Sequence, residues 1–61
     1  MKEFDTVILK ESYEGIPEGT SGTIVREYHD SLFEVEFFDE DKNPIGIVTT
    51  PIMVLDLVEE F

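Results

Sequence analysis

In Phe33-Glu34-Val35-Glu36-Phe37, apolar and charged residues alternate without a break. A repeat of two is the signature of a half-buried β-strand, because successive side chains leave opposite faces. The pattern sends Phe33, Val35 and Phe37 to a core and leaves Glu34 and Glu36 in water. One strand cannot cover its own apolar face, so the remainder of this 61-residue chain must supply the partners. Thr6-Val7-Ile8-Leu9 is rich in β-branched residues and predicts a first strand. Residues 10–18 lack an apolar period and hold Gly15 and Pro17, which makes them a loop. A second strand begins near Gly22 and runs to Tyr28, followed by the turn formers His29-Asp30-Ser31. Its inward residue, Ile24 or Val25, depends on the length of that turn.

After the third strand, residues 39–44 predict a turn and residues 45–50 a fourth strand, with Gly46 at a bulge or at a close approach. Pro51 ends it, since proline cannot donate to a ladder. Pro51-Ile52-Met53-Val54 reads as one tight turn of 3₁₀ type, and Leu55-Asp56-Leu57-Val58 as a short last strand. The tail Glu59-Glu60-Phe61 is expected to fray. The only competing helix is residues 51–60, without a convincing 3.6-residue period. The chain is therefore expected to be all-β and a single domain over residues 1–61. Five short strands are too few for two good sheets, which favours a small, strongly bent barrel. Its interior would hold Val7, Leu9, Ile24, Phe33, Val35, Phe37, Ile47 and Leu57. Leu32, Phe38, Ile52, Met53, Val54 and Phe61 are then in surplus, and such a surplus marks an interface or covers the barrel ends. A domain of this size retains only about 3–5 kcal/mol of stability.

Fifteen acids stand against four bases, a formal net charge of -11. A phosphate backbone is bound by clustered Lys and Arg, whereas Lys2, Lys10, Arg26 and Lys42 are few and scattered. Nucleic acid and anionic membrane surfaces are thus disfavoured as partners, and a basic protein patch is favoured. The same charge also serves simply to keep a small protein soluble. Without cysteine there is no disulfide framework and no zinc–thiolate site. The charged start Met1-Lys2-Glu3-Phe4-Asp5 precedes no apolar run of signal-peptide length, and no segment approaches the ~20 apolar residues of a membrane span. The expectation is a soluble cytoplasmic protein.

Gly19-Thr20-Ser21-Gly22-Thr23-Ile24 resembles the KOW-type turn-and-strand of SH3-like barrels, and Asp5-Thr6-Val7 resembles the opening of that motif. Gly19 and Gly22 would supply backbone angles closed to other residues, and Ile24 would point inward. Nearly the whole chain is similar to a family of small bacterial proteins of about this length that carry only a domain-of-unknown-function label. The resemblance rests on Asp5-Thr6-Val7-Ile8-Leu9, Gly15-Ile16-Pro17-Glu18-Gly19, Gly22-Thr23-Ile24-Val25, Glu34-Val35-Glu36-Phe37, a Thr-rich strand and Leu55. It implies an SH3-like five-stranded barrel, no catalytic residues, and an antitoxin-like partnership with a neighbouring protein. Ile52-Met53-Val54 departs from it, being more apolar than the polar turn expected there.

Asp39, Asp41 and Asn43 copy the first ligand positions of a calcium-binding EF-hand loop, but Pro44 replaces the turn glycine and Thr50 the closing glutamate. A solvated hairpin turn is the simpler reading, and no metal is expected. The glycines from Gly15 to Gly22 lack the Lys and the following helix of a phosphate-binding loop, and Glu14 and Glu18 would repel phosphate. His29 has Asp30 and Ser31 beside it in sequence, but neighbours within a tight turn cannot form a relay. Glu34 and Glu36 stand about 7 Å apart on one strand face, a separation that suits paired carboxylates only inside a cleft.

No catalytic residue and no cofactor follow from the sequence, so the protein is expected not to be an enzyme. The favoured function is a protein-binding module that docks a basic partner, with Phe38, Ile52, Met53 and Phe61 as apolar anchors and Asp39, Glu40 and Asp41 as steering charges. An antitoxin-like inhibitor of a toxin or nuclease is one form of that function. The alternative is a homo-oligomer that adds buried surface to a thin core.

Overall fold

A computed structural model describes residues 1–29 and 31–61. The described chain forms β1 (Thr6–Leu9), β2 (Ser21–His29), β3 (Leu32–Phe38), β4 (Pro44–Pro51), a 3₁₀ turn (Ile52–Val54) and β5 (Leu55–Glu59). The strands make one antiparallel sheet in the order β4-β3-β2-β1-β5. The chain is thus all-β, as its alternation predicts. β4 and β5 lie at the two edges with no ladder between them, so the sheet is open where a closed barrel is expected. Only the 3₁₀ turn is helical in the 51–60 segment.

Four places hold an extra residue opposite a continuous partner. The register skips Val25 and Tyr28 in β2, Ile45 in β4 and Val58 in β5. A bulge bends its strand and increases the local twist, which lets five strands curl over one apolar face. Val7, Leu9, Ile24, Phe33, Val35, Phe37, Val54 and Leu55 are buried there, and Ile16 reaches in from the β1–β2 loop. Ile24, not Val25, takes the inward position of β2.

The inner face alternates large and small residues across the strands. Phe37 is paired with Gly22 on one side and Gly46 on the other. A Cβ added to Gly22 would lie 2.7 Å from Val35 Cγ1 and 2.9 Å from both the Glu36 carbonyl oxygen and Phe37 Cδ1. Gly22 is therefore required by close approach, whereas Gly19, at φ 88°, is the one required by backbone angle. Gly46 has open space around it and sits beside the Ile45 bulge, which decides between the two readings of that glycine.

This row also overturns the expected place of Ile47. Directly paired residues share a face, so Val48 and Thr50, opposite Val35 and Phe33, turn inward, and Ile47 is 56% exposed. The buried Thr50 hydroxyl donates to the Val48 carbonyl at 2.9 Å. Leu57 pairs with Val7 but lies on an edge strand and is 42% exposed, so it is not the core residue it was expected to be. Val54, expected among the surplus, belongs to the core instead.

The C-terminal segment also differs from a frayed tail. Glu59 is the last residue of β5, and the Phe61 N–H donates to Asp5 Oδ1 at 2.9 Å. Asp5 is itself buried. Its Oδ2 accepts from the Lys2 N–H at 3.0 Å and its Oδ1 from Lys2 Nζ at 2.9 Å. These bonds hold its pKa down at about 2, the Phe61 N–H contributing most.

Candidate functional site

A groove lies where β2 begins and β3 ends, between two loops whose shapes follow from their residues. In the first, Tyr13 and Ile16 exchange backbone hydrogen bonds of 2.9 Å around Glu14 and Gly15, both at positive φ. That is a two-residue hairpin of the twist that suits adjoining strands. Pro17 to Thr20 then makes a second turn. The Thr20 N–H and hydroxyl both donate to the Pro17 carbonyl, at 3.2 and 2.7 Å, and Gly19 supplies the left-handed angle.

The opposing loop joins β3 to β4. Asp39 Oδ1 accepts from the N–H groups of Asp41 and Asn43, each at 2.9 Å, and the Asp39 N–H donates to the Asn43 carbonyl. The spacing that looks like a cation loop therefore builds a turn, by side-chain capping of backbone donors. Among the described residues, no group of three or more His, Cys, Asp or Glu could hold a metal ion.

Phe38 stands between the loops, half-buried. On one side it shares a groove of about 310 Å³ with Glu18, Gly19, Asp39, Glu40 and Ile45. On the other it shares a hollow of about 250 Å³ with Thr6, Thr23, Asp39 and Lys42. The larger groove has three carboxylates and no Lys or Arg in its lining. Phe38, Asp39 and Glu40 line this groove together, with Asp41 in the same turn.

The other expected anchors lie elsewhere. Phe38 pairs with Pro44 and Leu32 with Pro51, so the 3₁₀ turn adjoins the far end of β3, roughly 20 Å away at the rise of a strand. There Ile52 packs against the core and Met53 is 73% exposed. Phe61, 84% exposed, meets the Phe4 ring edge-on at 5.4 Å. Glu18 and Ile45 complete the groove and were not among the expected site residues. Ile45 reaches it from the bulge of β4.

The outer face of the sheet carries a second polar group. The Tyr28 hydroxyl donates to Glu34 Oε1 at 2.7 Å, and the Arg26 guanidinium lies 5.0 Å from the Tyr28 ring centre. The bond to Glu34 raises the pKa of the Tyr28 hydroxyl. Glu34 is thereby engaged with Tyr28 rather than paired with Glu36. His29 Nδ1 accepts from the Ser31 N–H at 3.3 Å within an exposed turn, and Asp30 lies outside the described residues. No helix among the described residues is long and apolar enough to cross a membrane.

A family model described as Domain of unknown function (DUF4926) matches residues 3–51. No curated protein and no solved structure matches the chain.

Proposed function

The chain belongs to the DUF4926 family, and on that premise we propose that it is a non-catalytic, acidic protein-binding module that docks a basic protein partner. The observation that carries this reading is the groove beside Phe38. It joins an aromatic anchor to Glu18, Asp39 and Glu40 without an intervening cation. Three of the four cations are engaged away from the groove, Lys2 with Asp5, Lys10 with Asp56 at 3.8 Å and Arg26 over the Tyr28 ring, and Lys42 lines the hollow on the other side of Phe38. The remaining acids dominate the field, which steers a cationic partner to the surface before the apolar anchor is buried. The strand order and the Gly19–Ile24 turn-and-strand support an SH3-like, partly open form of the domain. An antitoxin-like inhibitor of a cationic toxin or nuclease, acting in the cytoplasm, is the form of this function that the family resemblance suggests.

The test is association kinetics with a lysine-rich peptide carrying one aromatic residue. The association rate is expected to fall at least about tenfold between low salt and half-molar salt, as the attraction is screened. Phe38→Ala is expected to weaken binding roughly tenfold through faster dissociation. An association rate indifferent to ionic strength refutes the proposal.

A further inference from the structure

We propose that the open edge of β4 receives an extended basic segment of the partner as a sixth strand. This rests on the basic-partner reading and locates where the partner's backbone is held.

The geometry follows from one hydrogen bond. The Ile52 N–H donates to the Ser31 carbonyl at 2.9 Å, which continues the register set by Leu32 opposite Pro51. In an antiparallel ladder, hydrogen-bonded and non-bonded pairs alternate. Thr50, Val48 and Gly46 therefore direct their backbone groups at β3. Ile47 and Thr49, opposite Glu36 and Glu34, turn their N–H and C=O outward into the free edge. Pro51 falls on the outward parity, where a missing N–H leaves no ladder bond unmade.

This edge is also uncharged. Fifteen acids are spread through the chain and none lies in Pro44–Pro51. Edges are commonly protected by charge, as β5 is by Asp56 and Glu59. The middle of β4 instead offers the four unopposed backbone groups of Ile47 and Thr49, on an edge where Ile45 and Ile47 are exposed. Strand addition uses such groups for affinity and the alternate side chains for specificity.

The charge pattern selects the occupant. A strand added to β4 lies about 5 Å from it and about 10 Å from β3. Its outer-face residues lie beside Ile47 and Thr49, with Glu36 and Glu34 one strand further in. Lys or Arg at those positions spans the gap to both carboxylates, while the intervening positions need small β-branched residues beside Val48. A second copy would bring its own Glu34 and Glu36 to the same face and a further net charge of -11, so it is disfavoured. Ile45, at the end of this edge, also lines the Phe38 groove, so a bound strand leads into it.

The experiment is an amide-resolved NMR titration at low salt with a peptide of alternating Lys and Val, against its Glu–Val counterpart. The basic peptide is expected to shift the Ile47 and Thr49 amides and slow their hydrogen exchange at least about tenfold. Thr49→Pro removes one outward N–H and is expected to abolish that response. A peptide N-methylated at alternate residues tests the same bonds with the protein unaltered, and is expected not to bind the edge. Shifts confined to the Phe38 groove and unaffected by Thr49→Pro overturn the edge while leaving the docking function intact. Failure of the basic peptide to bind at all overturns both. Equal binding of the acidic peptide, or concentration-dependent protection of Ile47 and Thr49 without any peptide, overturns the choice of occupant.

Discussion

Gly22→Ala is expected to destabilise the domain by about 1–3 kcal/mol, the range for overpacking a close-packed site. The added methyl carbon would sit 2.7 Å from Val35 Cγ1 and 2.9 Å from the Glu36 carbonyl oxygen. Both belong to the interior strand β3, whose ladders to β2 and β4 oppose any retreat. Alanine gains about 0.4–1 kcal/mol by restricting the unfolded chain, which is less than the overpacking cost. Set against a total of about 3–5 kcal/mol, the loss leaves a marginal fold. Urea denaturation and thermal melting measure it, with Tm falling about 4–8 °C per kcal/mol in a domain of this size. Adding Val35→Ala removes the Cγ1 that lies 2.7 Å away, so the two substitutions are expected to cost less together than the sum of their separate losses. A Gly22→Ala protein as stable as the parent would show that Phe37 does not need a glycine beside it.

That glycine marks where reading the sequence succeeds and where it stops. The alternation in β3 is visible because each residue type is committed to one face, and Phe33, Val35 and Phe37 are buried as it dictates. In β4 both faces carry apolar residues, so the strand is legible but its facing is not. Choosing Ile47 over Val48 follows hydrophobic bulk, yet the facing is fixed by register, which sets Val48 opposite the inward Val35 and Ile47 opposite Glu36. The bulges are invisible for a related reason. Each inserts a residue with no composition of its own, and three of them put Tyr28, Ile45 and Val58 outside as exposed apolar side chains. Closure is not legible in the sequence, because a strand count says nothing about whether the edge strands β4 and β5 can meet.

For the candidate site, sequence proximity decided what could be seen. Phe38, Asp39 and Glu40 are consecutive, so an acid-fringed aromatic site could be anticipated at that turn. Ile52 and Met53 share only hydrophobicity with them, and antiparallel pairing puts the two groups at opposite ends of β3. Glu18 reaches the groove only because the Pro17–Thr20 turn folds the loop back. The bond from Phe61 back to Asp5, almost the whole chain away, has no local signal, because a buried carboxylate is recognisable only from the donors that surround it.

Asp5 should therefore dominate the acid response of this protein. Asp5→Ala removes the acceptor for the Lys2 and Phe61 N–H groups and for the Lys2 ammonium, and Tm is expected to fall by on the order of 10 °C. The pH dependence has a definite sign. The folded pKa of about 2 lies below the ordinary value of 3.8, so between those values the unfolded chain binds the extra proton. The contribution of Asp5 is complete above about pH 5 and declines through that window. It is gone once the pH is below the folded value. Acidification also relieves the self-repulsion of a chain with net charge -11, an effect of opposite sign. Comparing the parent with Asp5→Asn at high salt cancels that common effect. The stability difference between them is expected to be constant from pH 7 to 5 and to shrink toward pH 2. Deleting Phe61 is expected to move the Asp5 pKa up toward its ordinary value, read from the carboxyl carbon shift, since the Phe61 N–H is the largest single cause of the depression. A parent-to-variant difference that does not change across the acid range would mean that Asp5 carries no charge-dependent latch between the two ends of the chain.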